Sequence, residues 1–97
     1  MLSEDVKIRF AGFEPAEDVR KGVYYLLNQL HLKSPSQSFL EATFTLTNGI
    51  FEGVIAVTSS AENFVAKASD SKMTEVGTKL FDKLGTQLEK WKSLRCL

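Results

Sequence analysis

Apolar and polar residues alternate through Val6-Lys7-Ile8-Arg9-Phe10. This is the period-two signature of a half-buried strand, with Val6, Ile8 and Phe10 facing a core and Lys7 and Arg9 facing out. Gly12 breaks the strand. Pro15 marks a helix at its first position, where a missing N–H costs nothing. Glu17 and Asp18 follow in the first turn, favourable to the helix dipole. Val19, Val23, Leu26, Leu27 and Leu30 hold the helical period to about Leu32, with Gly22 inside it at a cost of about 1 kcal/mol relative to Ala. Residues 33–38 are a loop by composition. Alternation returns from Phe39 to Thr47, with Leu40, Ala42, Phe44 and Leu46 on one side and Glu41, Thr43, Thr45 and Thr47 on the other. Asn48-Gly49 follows, the favoured dipeptide of a type I′ hairpin. That turn pairs Thr47 with Ile50, Leu46 with Phe51, Phe44 with Gly53, Ala42 with Ile55 and Leu40 with Val57. The apolar sides of the two strands then coincide. Gly53 opposite Phe44 leaves room for the ring or for a helix. After a second turn over residues 58–63, residues 64–68 form a short strand with small inward residues, Ala66 and Ala68.

Residues 69–95 read as one long amphipathic helix capped by Asp70 or Ser71. Met73, Val76, Leu80, Leu84, Leu88 and Trp91 form its apolar stripe. Lys72, Lys79, Lys83 and Lys90 fall within about 20° of one line along it, at 100° per residue. Glu75, Asp82 and Glu89 gather beyond the lysines. Regularly spaced ammonium groups suit a phosphate backbone. The plainer alternative is a solvated helix face with Glu75 and Lys79 as an i,i+4 pair.

The element order is therefore β-α-β-β-β-α. It implies an α+β fold, with a four-stranded mixed sheet and two helices packed on one face, laid out like a double-stranded-RNA-binding domain. The crossover through the first helix makes the first strand parallel to one of the meander strands. The other sheet face carries Lys7, Arg9, Glu41, Thr43, Thr45, Glu52, Val54 and Lys67.

Ninety-seven residues, 43% of them hydrophobic, suffice for one domain over residues 1–97 with a core that needs no metal or disulfide. The lone Cys96 cannot form an intramolecular bridge. No signal-like or membrane-spanning run occurs, so a soluble, cytoplasmic protein is expected. Net charge is zero but divided. Residues 1–64 carry five Lys/Arg against eight Asp/Glu (−3), and residues 65–97 carry seven against four (+3). This argues against wholesale attraction to nucleic acid and allows a local basic patch.

Little here suits catalysis, and the chain reads as non-enzymatic. His31 ends the first helix, and Cys96 lies on a tail that cannot hold reactive geometry. No CxxC or HExxH spacing occurs, so neither a metal nor another cofactor is expected. Gly49 and Gly53 belong to a hairpin rather than a phosphate loop. Glu17 and Asp18 serve the dipole. Phe10, Phe44 and Phe51 fall on the buried side, which argues against base stacking. At most one of Tyr24 and Tyr25 points inward, and Trp91 seals the end of the core.

The element order and the segment over residues 66–92 carry a resemblance. Ala66-Lys67-Ala68-Ser69 and then Asp82-Lys83-Leu84-Gly85-Thr86-Gln87-Leu88-Glu89-Lys90 resemble the final strand and the D-K-L-x-x-Q-L-x-K helix of one family. It is the ribosome hibernation promoting factor and ribosome-associated inhibitor family (the sigma-54 modulation proteins). The strand from Val6 and the Thr-Asn-Gly turn extend the similarity over nearly the whole chain. The resemblance implies binding in the decoding region of the small ribosomal subunit, where such a domain blocks mRNA and tRNA. It implies contacts to ribosomal RNA from Lys83 and Lys90, with Lys79 and Lys72 extending the line, Lys92 at its end, and Arg20 on the first helix. The chain departs from the family pattern at Lys72-Met73-Thr74, where the family has an acidic-hydrophobic-tyrosine start. It departs again near Leu26 and Gln29, where basic residues are usual. These departures support a second reading, a protein-interaction module that kept the fold and lost the ribosome. Its partner would be another protein or a second copy, recruited by the open sheet face or an unpaired edge strand.

Overall fold

The computed structural model describes residues 5–60 and 62–95. Cys96 lies outside them. Six elements follow in the order β1 (Val6–Ala11), α1 (Glu17–Lys33), β2 (Phe39–Thr47), β3 (Ile50–Thr58), β4 (Phe64–Asp70) and α2 (Met73–Arg95). The sheet order is β1-β2-β3-β4. β1 runs parallel to β2, the two being joined by the crossover through α1, and the other neighbours are antiparallel. The hairpin register is the one implied by Asn48-Gly49, from Thr47 opposite Ile50 to Leu40 opposite Val57. Both turn residues have positive φ (52° and 77°), as a type I′ turn demands.

α1 packs on β1 and β2, α2 packs on β3 and β4, and the helices touch each other on the same sheet face. Leu40, Ala42, Phe44, Ile55, Val57, Phe64 and Ala66 project from the sheet. They meet Val23, Leu27 and Leu30 of α1 and Met73, Val76, Leu80, Leu84 and Leu88 of α2 in one continuous core. Gly53 is where α2 comes closest. A Cβ there would lie 2.6 Å from Leu80 Cδ1, 2.8 Å from Val76 Cγ1 and 2.9 Å from Phe44 Cε1. Both features anticipated for this glycine are present, since ring and helix share the space. Phe10 stacks on Phe44 at 5.7 Å, Phe13 meets Phe51 edge-on at 5.0 Å, and Trp91 meets Phe64 edge-on at 6.2 Å. Tyr24 is half-buried while Tyr25 is exposed.

Three boundaries differ from the sequence reading. Pro15 precedes the helix rather than opening it. Ala16 keeps extended backbone (ψ 156°) as N-cap, and its carbonyl accepts the first helical bond from Arg20. β4 continues through Ser69 and Asp70, so α2 begins only at Met73. Neither Asp70 nor Ser71 is its N-cap: the Lys72 carbonyl accepts the Val76 N–H at 3.2 Å, which gives that place to Lys72. Asp70 instead accepts the Lys72 N–H at 3.1 Å, an Asx turn that joins strand to helix.

Candidate nucleic-acid interface

Two lysines of the predicted line, Lys79 and Lys83, lie along the outer edge of β4. Lys79 Nζ donates to the Ser69 carbonyl (3.1 Å) and to Asp70 Oδ2 (2.9 Å). Lys83 Nζ donates to the Lys67 carbonyl (2.7 Å), and Gln87 Nε2 donates to the Val65 carbonyl (2.9 Å). The match is geometric. Four residues of helix rise about 6 Å, and two residues of strand span about 6.6 Å. A helix antiparallel to a strand can therefore place every fourth side chain on every second carbonyl. These outward carbonyls have no strand beside them, because β4 ends the sheet.

Lys79 therefore pairs with Asp70 rather than with Glu75, the i,i+4 partner suggested by spacing. The Asp70 carboxyl is held below its ordinary 3.8, first by the hydrogen bond from Lys79 and then by the Lys72 N–H. Lys67 belongs to the same place. Its side chain is exposed on the open sheet face, and with Glu52, Lys79 and Lys83 it lines a shallow groove of about 450 Å³ at the β4 edge. The strand alternation places Lys67 on the sheet face, and the helical wheel assigns Gln87 no contact. The four-residue spacing 79–83–87 was the available signal for Gln87.

The other basic residues singled out are dispersed. Lys72 is exposed at the start of α2. Lys90 and Lys92 are exposed beyond Gln87, close to where Trp91 meets the first residue of β4, Phe64. Arg20 lies near the opposite edge of the sheet, its guanidinium 5.8 Å from the centre of the Phe10 ring on β1. Among the described residues there is no basic channel between the helices. A groove of about 370 Å³ there is lined by apolar residues and glycines such as Val19, Gly22, Leu26, Met73 and Gly77, with Asp18, Thr74 and Thr78.

His31 Nε2 lies 3.1 Å from the Ser38 carbonyl, joining the end of α1 to the start of β2. Among the described residues no group of three or more His, Cys, Asp or Glu gathers as a metal site would. No described helix is long and apolar enough to cross a membrane.

The fold of this α+β domain has counterparts among solved structures. The N-terminal domain of Protein Y from Thermus thermophilus superposes with a TM-score of 0.75 at 16% identity, covering 88% of this chain and 94% of that one. A ribosomal subunit interface protein from Coxiella burnetii superposes with a TM-score of 0.70 at 22% identity, covering 90% and 98%. At these identities the fold is what is shared, and it is the fold implied by the resemblance over residues 66–92. No protein-family model and no curated protein sequence matches the chain.

Proposed function

We propose that this chain is a non-enzymatic, cytoplasmic ribosome-binding factor of the hibernation type, one domain over residues 1–97. In this reading the basic flank of α2 contacts small-subunit ribosomal RNA. Lys72, Lys79, Lys83 and Lys90 form the contact line, Lys92 extends it, Lys67 joins it from β4, and Arg20 makes a separate contact from α1. The observation that carries the reading is the pair of ammonium groups, Lys79 and Lys83, fixed along β4, on a fold shared with a ribosomal subunit interface protein. An ammonium has three donors. Lys83 uses one on Lys67, which leaves charge and donors for phosphate while its chain is already ordered. That ordering lowers the entropy lost on binding. The apolar, Asp18-bearing groove between the helices offers phosphate nothing comparable, so the contact is assigned to the outer flank.

The test is co-sedimentation with ribosomes across a salt series. Phosphate contacts release counterions, so pelleting with the small subunit should fall steeply as salt rises. Each lysine neutralised should lower the slope of log affinity against log salt by about 1. Absence of pelleting at every salt, with the fold intact by circular dichroism, refutes the reading.

A further inference from the structure

We propose that the outer edge of β1 is a docking strand for an extended protein segment that alternates carboxylate and aliphatic residues. The Leu40 N–H donates to the Asp5 carbonyl at 2.8 Å, so the backbone groups of Asp5, Lys7 and Arg9 face β2. Alternation along the strand then turns the N–H and C=O groups of Val6, Ile8 and Phe10 away from the sheet. Among the described residues no side chain or loop bonds to those groups. The strand has no proline, and its pairing with β2 is unbroken from Val6 to Ala11. It therefore presents a straight edge with neither proline nor bulge, guarded only by the charges of Lys7 and Arg9.

Charge and burial select the occupant. Lys7 and Arg9 are exposed on the open face, and neither is in an ion pair among the described residues. Ile8 and Phe10 are half-buried on the helix face, where they border the core. A strand added beside β1 sets its own side chains alternately next to these two kinds of neighbour. Carboxylates suit the first and aliphatics the second.

A second copy does not fit. An antiparallel β1 pair centred on Ile8 sets Lys7 against Arg9 on both sides of the two-fold axis. Pairing β1 with the β4 of another copy meets Lys79, Lys83 and Gln87 already on the β4 carbonyls. Nothing in this proposal depends on ribosome binding, because neither Lys7 nor Arg9 belongs to the α2 flank.

The test titrates the ¹⁵N-labelled full chain with a synthetic peptide of alternating Glu and Val. The expected result is shifts, with slowed hydrogen exchange, confined to Val6, Ile8, Phe10 and their immediate neighbours. The paired substitution Lys7→Glu, Arg9→Glu should weaken binding about tenfold, since two cross-strand pairs turn from attractive to repulsive. A second variant, Ile8→Pro, removes an outward N–H and leaves the β1–β2 ladder bonds in place, and should also abolish the shifts. The proposal is overturned by any of several outcomes: no shifts at millimolar peptide, shifts centred elsewhere, or equal binding of a Lys/Val peptide. An RNA oligonucleotide that moves the same amides at lower concentration, or a dimer formed through β1, overturns it as well.

Discussion

At the β4 edge, the outward carbonyls of Ser69, Lys67 and Val65 receive donors from Lys79, Lys83 and Gln87. At the β1 edge, the outward groups of Val6, Ile8 and Phe10 receive none from the described residues. The difference follows from how each strand joins its helix. Only Ser71 and Lys72 separate β4 from α2, so the chain doubles back and the helix lies alongside the strand it has just left. β1 is joined to α1 through residues 12–16, and α1 spans inward over β1 and β2 on its way to the next strand. An edge strand can thus be closed without a bulge or a proline when a helix follows it antiparallel with long polar side chains every fourth residue. In this molecule the closing side chains are mostly lysines, so edge protection and the basic flank are the same residues.

The comparison breaks most severely if α2 is moved off the sheet. Gly53→Val places atoms where Leu80, Val76 and Phe44 already lie within 3.0 Å of a Cβ. Overpacking at this point should cost about 3 kcal/mol. For a domain of this size that lowers the thermal midpoint by roughly 12–24 °C. Slow amide exchange in β4 should be lost along with the seal, as hydrogen exchange followed by NMR would record. An unchanged midpoint would mean that α2 does not depend on this close approach.

A milder break removes the donors and leaves the helix in place. Lys83→Ala with Gln87→Ala uncovers the carbonyls of Lys67 and Val65. Each bond contributes about 1 kcal/mol at most, because water replaces the lost donor at an exposed edge. The clearer consequence is association. With β4 uncovered, its edge can meet the β1 edge of another copy, a head-to-tail contact that need not close. Sedimentation velocity should show concentration-dependent growth that the parent lacks. A variant that associates no more than the parent would show that the seal has no protective role.

Most of this architecture was legible in the sequence, because each strand and helix keeps one clear period and the Asn48-Gly49 turn fixes a register that the apolar positions independently support. The two helix starts were less legible. Pro15 fits several positions near a helix start, and Ala16 makes no side-chain cap to mark the true one. Asp70 and Ser71 carry capping side chains but are used in the turn before the helix. The candidate site was legible only in part. The helical wheel aligned Lys72, Lys79, Lys83 and Lys90, yet a wheel does not record what lies beside the helix. That Lys79 and Lys83 rest on β4 carbonyls, that Gln87 continues the series, and that Arg20 lies over Phe10 near the other edge all depend on tertiary placement.

Acid probes the joint between β4 and α2 with a smaller effect. The folded-state pKa of Asp70 is depressed, so its contribution to stability is complete above the unfolded value near 3.8 and is lost as pH falls through the folded value below it. Asp70→Asn should therefore unfold at a lower temperature than the parent at neutral pH, and the gap should close at pH values below that window. The carboxylate is partly open to water, which keeps the gap small. A gap that persists unchanged into strong acid would assign the effect to the turn geometry rather than to the charge.

The smallest expected change in stability belongs to the substitution that separates the two uses of the same side chains. Lys79→Gln with Lys83→Gln removes two charges and retains donors, and Gln87 already demonstrates that a glutamine on this flank reaches a β4 carbonyl. Glutamate at these positions would be a poorer choice, since it would set carboxylates against carbonyl oxygens and disturb the edge as well as the charge. The glutamine pair should unfold within about 0.5 kcal/mol of the parent, as surface substitutions usually do. It should also associate no more than the parent does. If the flank contacts RNA, its ribosome affinity should nevertheless drop, with the salt slope reduced by about 2. If ribosome affinity were unchanged while the Ala pair at positions 83 and 87 associates, the lysines would serve the strand edge alone, and the positive charge on this flank would be incidental to the donors it carries.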